Sequence, residues 1–222
     1  MTNSRVTIPT PYNEPILNYL PGSLEKLSLK TQLQQLGGDS IEIPLIIGGK
    51  NIKTDELGQC ILPHDHARSI ATYHKGSTET VNQAIAAAAE AKPAWASMSW
   101  EARAAIFLKA ADLLSEKYRP VINAATMLNQ SKTAMQAEID AACELIDFWR
   151  FNPSYMEQIF AHQPFSPPHI WNYMEYRPLE GFVFAVTPFN FTSIAGNLPT
   201  SPAMMGNTVV WKPASTAVYV AY

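Results

Sequence analysis

Residues 181–215, GFVFAVTPFNFTSIAGNLPTSPAMMGNTVVWKPAS, read in order as strand, sharp turn, helix, strand and a single lysine. Phe182 to Val186 is a short, unalternating run of β-formers. It is too brief for a helix and has the pattern expected of a parallel strand buried on both faces. Pro188 stops it, and Asn190 then offers a fixed amide donor at the carboxyl end of the strand, where open α/β sheets bind ligands. Ser193 to Met205 follows as a mostly apolar helix with Gly206 and Asn207 as its stop. Thr208 to Trp211 is a second buried strand ending in Lys212. The unit is βαβ, so Lys212 returns to the rim that carries Asn190.

No phosphate-cradling glycine fingerprint, neither G-x-G-x-x-G nor G-x-x-x-x-G-K-[ST], occurs in the chain. A nucleotide at this rim would be held by some other arrangement. The turn Pro188-Phe189-Asn190-Phe191 after one strand and Lys212 after the next resemble the aldehyde dehydrogenase superfamily. With EIDAACELIDFWRFN (138–152) added, the text is similar to its delta-1-pyrroline-5-carboxylate dehydrogenase branch, which oxidises L-glutamate γ-semialdehyde to glutamate with NAD in proline breakdown. The resemblance covers nearly the whole chain.

The resemblance implies an α/β fold with an incomplete Rossmann-type cofactor domain. Residues 1–163 would be an N-terminal arm and helical part, 164–178 a β-flap for homo-oligomerisation, and 179–222 the start of the cofactor sheet. It makes Asn190 the oxyanion donor, Glu144 the partner of the substrate's α-ammonium and Phe191 an aromatic wall of the aldehyde pocket. Thr187, Pro188, Phe189, Lys212 and Ser215 would meet NAD. Ser215 stands where the family frequently has a ribose-gripping acid. The loss of that carboxylate removes a repulsion against a 2′-phosphate and leaves NADP open.

Taken bare, each residue has a plainer reading. Pro-x-Asn is a common turn sequence, Lys212 fits a solvated surface lysine, and Asp140, Glu144 and Asp147 fit the solvated face of a helix. Cys60, His64 and His66 form C-x3-H-x-H, but they lack a fourth ligand at useful spacing and fit a polar surface turn better than a metal site. His74, His162 and His169 have no companions in sequence.

The 222 residues are 47% hydrophobic and 16% charged, enough for a substantial core. A net charge of −3 gives no reason to expect nucleic acid or an anionic membrane, and no apolar stretch is long enough to span a bilayer. The N-terminus has no signal core, and the two cysteines, Cys60 and Cys143, form no metal or redox motif. A cytoplasmic, thiol-reduced protein acting on a small aldehyde is the expectation.

The prolines at 9, 11, 15 and 21 mark an extended arm. Ser23 to Leu36 reads as a helix with Leu24, Leu27, Leu33 and Leu36 on one face, and Ile43–Ile47, Gly48-Gly49 and Asn51–Lys53 as a hairpin. Ile70 to Tyr73 reads as a short strand. Ser77 and Ser99 are expected N-caps of helices ending near Ala91 and Tyr118, separated by Pro93. A helix over about 120–129 precedes a long one opened by a Thr133/Gln136 capping box, which Pro153 should kink or end. Pro164 to Pro178 reads as an exposed ribbon. The family's nucleophilic cysteine and general-base glutamate have no counterpart here: Cys60 sits in an N-terminal loop, and Cys143 lies in a helix beside Glu144, whose charge would disfavour its thiolate. The chain alone is therefore expected to be inactive. A related semialdehyde dehydrogenase would leave Glu144 unexplained, and a non-catalytic assembly module would rest on the missing nucleophile.

Overall fold

Serine and threonine caps set the helical part of the molecule, as far as it is described by the computed structural model, which covers residues 6–38 and 40–222. The first residues of the arm and Asp39 lie outside that range. Ser77 caps α2 (Thr78–Ser97) in a reciprocal capping box with Thr80, and Ser99 caps α3 (Trp100–Ser115) through the Ala102 amide. Each such cap satisfies an otherwise orphaned N–H and contributes about 1 kcal/mol. Pro93 does not separate these helices but lies inside α2. The carbonyl it orphans belongs to Ala89, and both residues are exposed, so water takes the lost hydrogen bond.

Helix α1 (Leu24–Gly38) packs on α4 (Arg119–Gln130). Its inward stripe is Leu29, Leu33 and Leu36, while Leu24 and Leu27 are exposed. Residues two apart on a helix are turned by about 200°, so burying Leu29 turns Leu27 to solvent.

Strands β1 (Ile41–Ile43), β4 (Leu57–Leu62) and β5 (Asp65–His74) form a sheet of order β1-β5-β4, parallel at β1/β5 and antiparallel with register shifts at β4/β5. The expected hairpin is β2 (Leu45–Ile47) with β3 (Lys50–Ile52). Ile41–Ile43 belongs to the other sheet. The expected strand at Ile70–Tyr73 is the inner part of a longer one. Cys60 lies in β4, buried beside Ile43, Leu62 and Ile70, not in a loop.

The Thr133/Gln136 capping box opens α5 (Ala134–Ala137), which passes through a π-helical turn (Glu138–Cys143) into α6 (Glu144–Ala161). Pro153 does not end α6; it is fully buried within it. Residues 164–178 follow without strand pairing. Side chains hold this ribbon: Ser166 Oγ accepts from the Asn172 amide at 2.9 Å, Gln163 Oε1 accepts from the Met174 amide at 2.8 Å, and Tyr176 OH donates to the His162 carbonyl at 2.9 Å. Exposure was expected, and Trp171 is 84% exposed; within this chain the ribbon pairs with no strand.

The βαβ unit consists of β6 (Val183–Val186), α7 (Thr192–Met204) and β7 (Val209–Lys212), with the strands parallel. Gly206 ends the crossover at φ +92°, a left-handed geometry that glycine adopts without strain. Pro199 and Pro202 sit inside α7, where Thr200 Oγ1 donates back to the Gly196 carbonyl at 2.7 Å. The strands are not buried on both faces: Ala185 is buried, but Phe184 is 60% exposed, because this two-stranded sheet is covered on one side only. A short α8 (Val218–Ala221) closes the described chain.

Candidate functional site

The expected rim forms because β6 and β7 are in register. Val186 lies opposite Lys212, and the Thr187 N–H donates to the Lys212 carbonyl at 3.3 Å. The Trp211 indole N–H donates to Thr187 Oγ1 at 2.9 Å. Thr187 is buried, so its side chain serves the framework of the rim; Phe189, Asn190, Lys212 and Ser215 are exposed and Pro188 is half-buried. A groove of about 1020 Å³ beside the rim is lined by Ile47, Ala84, Val210, Trp211, Lys212 and Ser215 among others. Thr187, Pro188 and Phe189 lie outside it, so the structure divides the expected cofactor residues between two parts of the rim.

The turn feeds directly into α7, which lies along α6. Gly196 makes this close approach possible: a Cβ there would stand 2.8 Å from the Leu145 methyl carbons. The contact continues through Trp149 Nε1 donating to Thr200 Oγ1 at 3.0 Å and Asn152 Nδ2 donating to Asn197 Oδ1 at 2.9 Å. At its near end Ser193 Oγ, fully buried, donates to Glu144 Oε2. Asn190 and Phe191 are thus carried on the chain that docks against Glu144. The Lys132 ammonium stands 4.4 Å from the centre of the Phe191 ring and 2.7 Å from Asp140 Oδ2, which braces the ring from one side.

The acids expected on one solvated face have separate fates, because the π-turn breaks the α-helical spacing between Asp140 and Glu144. Asp140 pairs with Lys132, and Asp147 holds the arm through the Asn13 amide and the Glu14 N–H, each at 2.7 Å. Of the three, only Asp140 has a cationic partner among the described residues; Asp147 is taken up by the arm, and Glu144 meets one hydroxyl.

Glu138, which sequence reasoning passed over, is fully buried. Arg119 bonds both of its oxygens, and Leu17 N–H (2.8 Å), Tyr19 OH (2.6 Å) and Asn123 Nδ2 (2.8 Å) complete its shell. Burial pushes its carboxyl up, but the bonds from Arg119, Tyr19 and Leu17 together hold it below its ordinary value. Arg119 also pairs with Glu14, whose second oxygen meets Arg150. This buried ionic cluster fastens the arm, and no local signal could have found it, because the arm residues Glu14, Leu17 and Tyr19 lie a hundred positions or more from Arg119, Glu138 and Arg150.

Burial pushes the Cys60 thiol up to about 11, and burial together with Glu138 pushes Cys143 up to about 12. The acids acting on Cys143 are therefore Glu138 and, to a lesser extent, Glu14, not Glu144. No group of three or more His, Cys, Asp or Glu suited to a metal occurs among the described residues: His64 bonds Ser131 Oγ at 2.7 Å and Cys60 is enclosed in β4. His74 does have companions, Thr54 at 2.7 Å and Glu42 at 2.8 Å.

A strand-turn-helix-strand rim with an amide, an aromatic ring and a carboxylate around the start of its helix defines the class. The chain belongs to the aldehyde dehydrogenase family, whose model matches residues 52–222. Among its relatives, the delta-1-pyrroline-5-carboxylate dehydrogenase of Agaricus bisporus is 54% identical over 97% of this chain and 40% of its own length. The mitochondrial enzyme of that name from Dictyostelium discoideum is 48% identical over 97% and 39%. A crystal structure of Delta-pyrroline-5-carboxylate dehydrogenase from Mycobacterium tuberculosis bound with NAD and cobalamin superposes with a TM-score of 0.98 at 50% identity, covering 100% of this chain and 42% of that one. The chain thus spans about 40% of the length of the relatives it matches. The fold is the mixed α/β fold of this family, in part.

Proposed function

We propose that these residues supply the cofactor rim and the ammonium-binding side of an NAD-dependent dehydrogenase that converts L-glutamate γ-semialdehyde to L-glutamate in proline catabolism. In that reaction aldehyde, water and NAD yield carboxylate, NADH and protons. The observation that carries the reading is the convergence of Asn190, Phe191 and Glu144 around the first turn of α7. Asn190 donates to the developing oxyanion without needing a protonation state, Phe191 walls the aldehyde pocket, and Glu144 takes the α-ammonium. A different semialdehyde dehydrogenase would have no use for a carboxylate so presented.

NAD fits the rim. Lys212 supplies a cation with no ion-pair partner among the described residues and Ser215 a hydroxyl at the lip of the groove, suited to the ribose and its phosphate, while Val210 and Trp211 offer apolar surface. The NAD-bound relative from M. tuberculosis supports this choice; the absence of an acid at Ser215 keeps NADP open. The ribbon 164–178, with Phe165, Trp171 and Tyr173 bared, is the proposed surface for homo-oligomerisation.

By itself the 222-residue chain does not turn over aldehyde, because both of its thiols are buried and protonated at neutral pH. No helix among the described residues is long and apolar enough to cross a membrane. Several relatives are named mitochondrial; for this chain the cytoplasm is the compartment we propose. Calorimetry of NAD and of NADP against the purified chain, with Lys212→Ala beside it, tests the rim. Saturable NAD binding that Lys212→Ala abolishes is expected, and binding indifferent to Lys212 would refute the assignment. NADH formation by the 222 residues alone would refute the inactivity.

A further inference from the structure

We propose that Ser193 is a positioning residue that sets substrate specificity by fixing Glu144 as an unneutralised cation site; the proposal rests on the reading of Glu144 given above. Ser193 has no access to solvent, and its hydroxyl donates to Glu144 Oε2. The other oxygen, Oε1, takes no hydrogen bond among the described residues and is not one of the buried atoms left without a partner. One oxygen is therefore held while the other faces outward.

The identity of the holder matters. Asp140 is paired with Lys132, and Glu138 and Glu14 with arginines. Such cations would compete with a substrate ammonium for the same charge. A hydroxyl orients the carboxylate and leaves its negative charge uncompensated, so an incoming ammonium meets a full charge in fixed geometry. The first turn of α7 also favours a carboxylate through its unsatisfied N–H groups.

The placement follows from the helix contact. Ser193 lies one turn before Gly196 on α7, and Glu144 immediately precedes Leu145 on α6. The Gly196–Leu145 approach that sets the helix separation therefore also sets the Ser193–Glu144 distance. Asn190 and Phe191 lie just upstream of Ser193, so one short segment addresses both ends of an amino-semialdehyde: the aldehyde through Asn190 and Phe191, and the ammonium through Ser193 acting on Glu144.

The test measures kcat and KM in the full-length polypeptide that carries these residues, with L-glutamate γ-semialdehyde and with propanal, which has no ammonium. Ser193→Ala is expected to lower the preference for the amino-semialdehyde about tenfold, mainly through KM, as loss of one hydrogen bond to a charged group would. Ser193→Thr should restore it, and Ser193→Ala should add nothing on a Glu144→Gln background. If Ser193→Ala proves too unstable, Ser193→Cys, of similar shape with a weaker donor, should show a partial loss. An equal effect of Ser193→Ala on both substrates, or none on either, while Glu144→Gln loses the preference, would overturn the role of Ser193. A Glu144→Gln variant that keeps the full preference would instead overturn the reading of Glu144 beneath it.

Discussion

Glu138 and Glu144 stand six positions apart at the two ends of one π-helical turn, and they have opposite surroundings. Glu138 has no solvent access, an arginine on both oxygens and three further donors. Glu144 is half-buried and, among the described residues, held by one neutral hydroxyl, with an oxygen to spare. On the proposed reading, the difference separates a structural acid from a recognising one: the first has its charge and lone pairs consumed inside the molecule, and the second keeps both in hand. The π-turn makes the separation possible, because the extra residue in its ladder sends one acid inward and frees the other to meet α7.

The largest expected effect comes from breaking the structural side. Glu138→Ala leaves Arg119 buried without its main partner, and urea unfolding of the 222-residue chain should show a loss of about 3–5 kcal/mol. Acid probes the same cluster. Glu138 and Glu14 both titrate below their ordinary value of 4.5 in the folded chain: burial raises each, and the hydrogen bonds from Arg119 and Tyr19, or from Ser115 and Arg150, more than offset it. Their stabilisation is complete above pH 4.5 and is lost as pH falls through the depressed values. Glu138→Gln should therefore flatten the decline of stability below pH 4.5, measured as urea midpoints against pH.

The α6/α7 contact gives an intermediate effect. Gly196→Ala forces a methyl against Leu145 at 2.8 Å and should cost about 1–3 kcal/mol, while also spreading Ser193 from Glu144. At the smallest end, Glu144→Gln should shift the urea midpoint by no more than about 0.5 kcal/mol equivalent, since no buried cation depends on it. A large loss there would erase the contrast between the two acids.

The sequence announces what is local. The Ser77, Ser99 and Thr133 caps, the Gly206 stop and the βαβ order of residues 181–215 are written in neighbouring residues, and the structure follows them. Pro93 and Pro153 mislead because a proline ends a helix only when the freed carbonyl finds no other partner and packing does not insist; Pro93 is solvated and Pro153 is locked in the core. Strand β4 escapes notice because LGQCIL has neither clean alternation nor a full apolar run, and its pairing with β5 is decided at long range. In the site, Asn190, Phe191 and Lys212 could be singled out from motif resemblance, and their rim is formed. The Glu138 cluster and the Ser193–Glu144 bond depend on contacts between distant segments and carry no local mark.

The most direct test of the contrast sets Glu144→Gln beside Glu138→Gln in the full-length polypeptide and reads the ratio of kcat/KM for L-glutamate γ-semialdehyde over propanal. The account predicts a fall of about tenfold or more for Glu144→Gln and a preserved ratio for Glu138→Gln, which should instead melt earlier. A ratio that holds in Glu144→Gln and collapses in Glu138→Gln would contradict it.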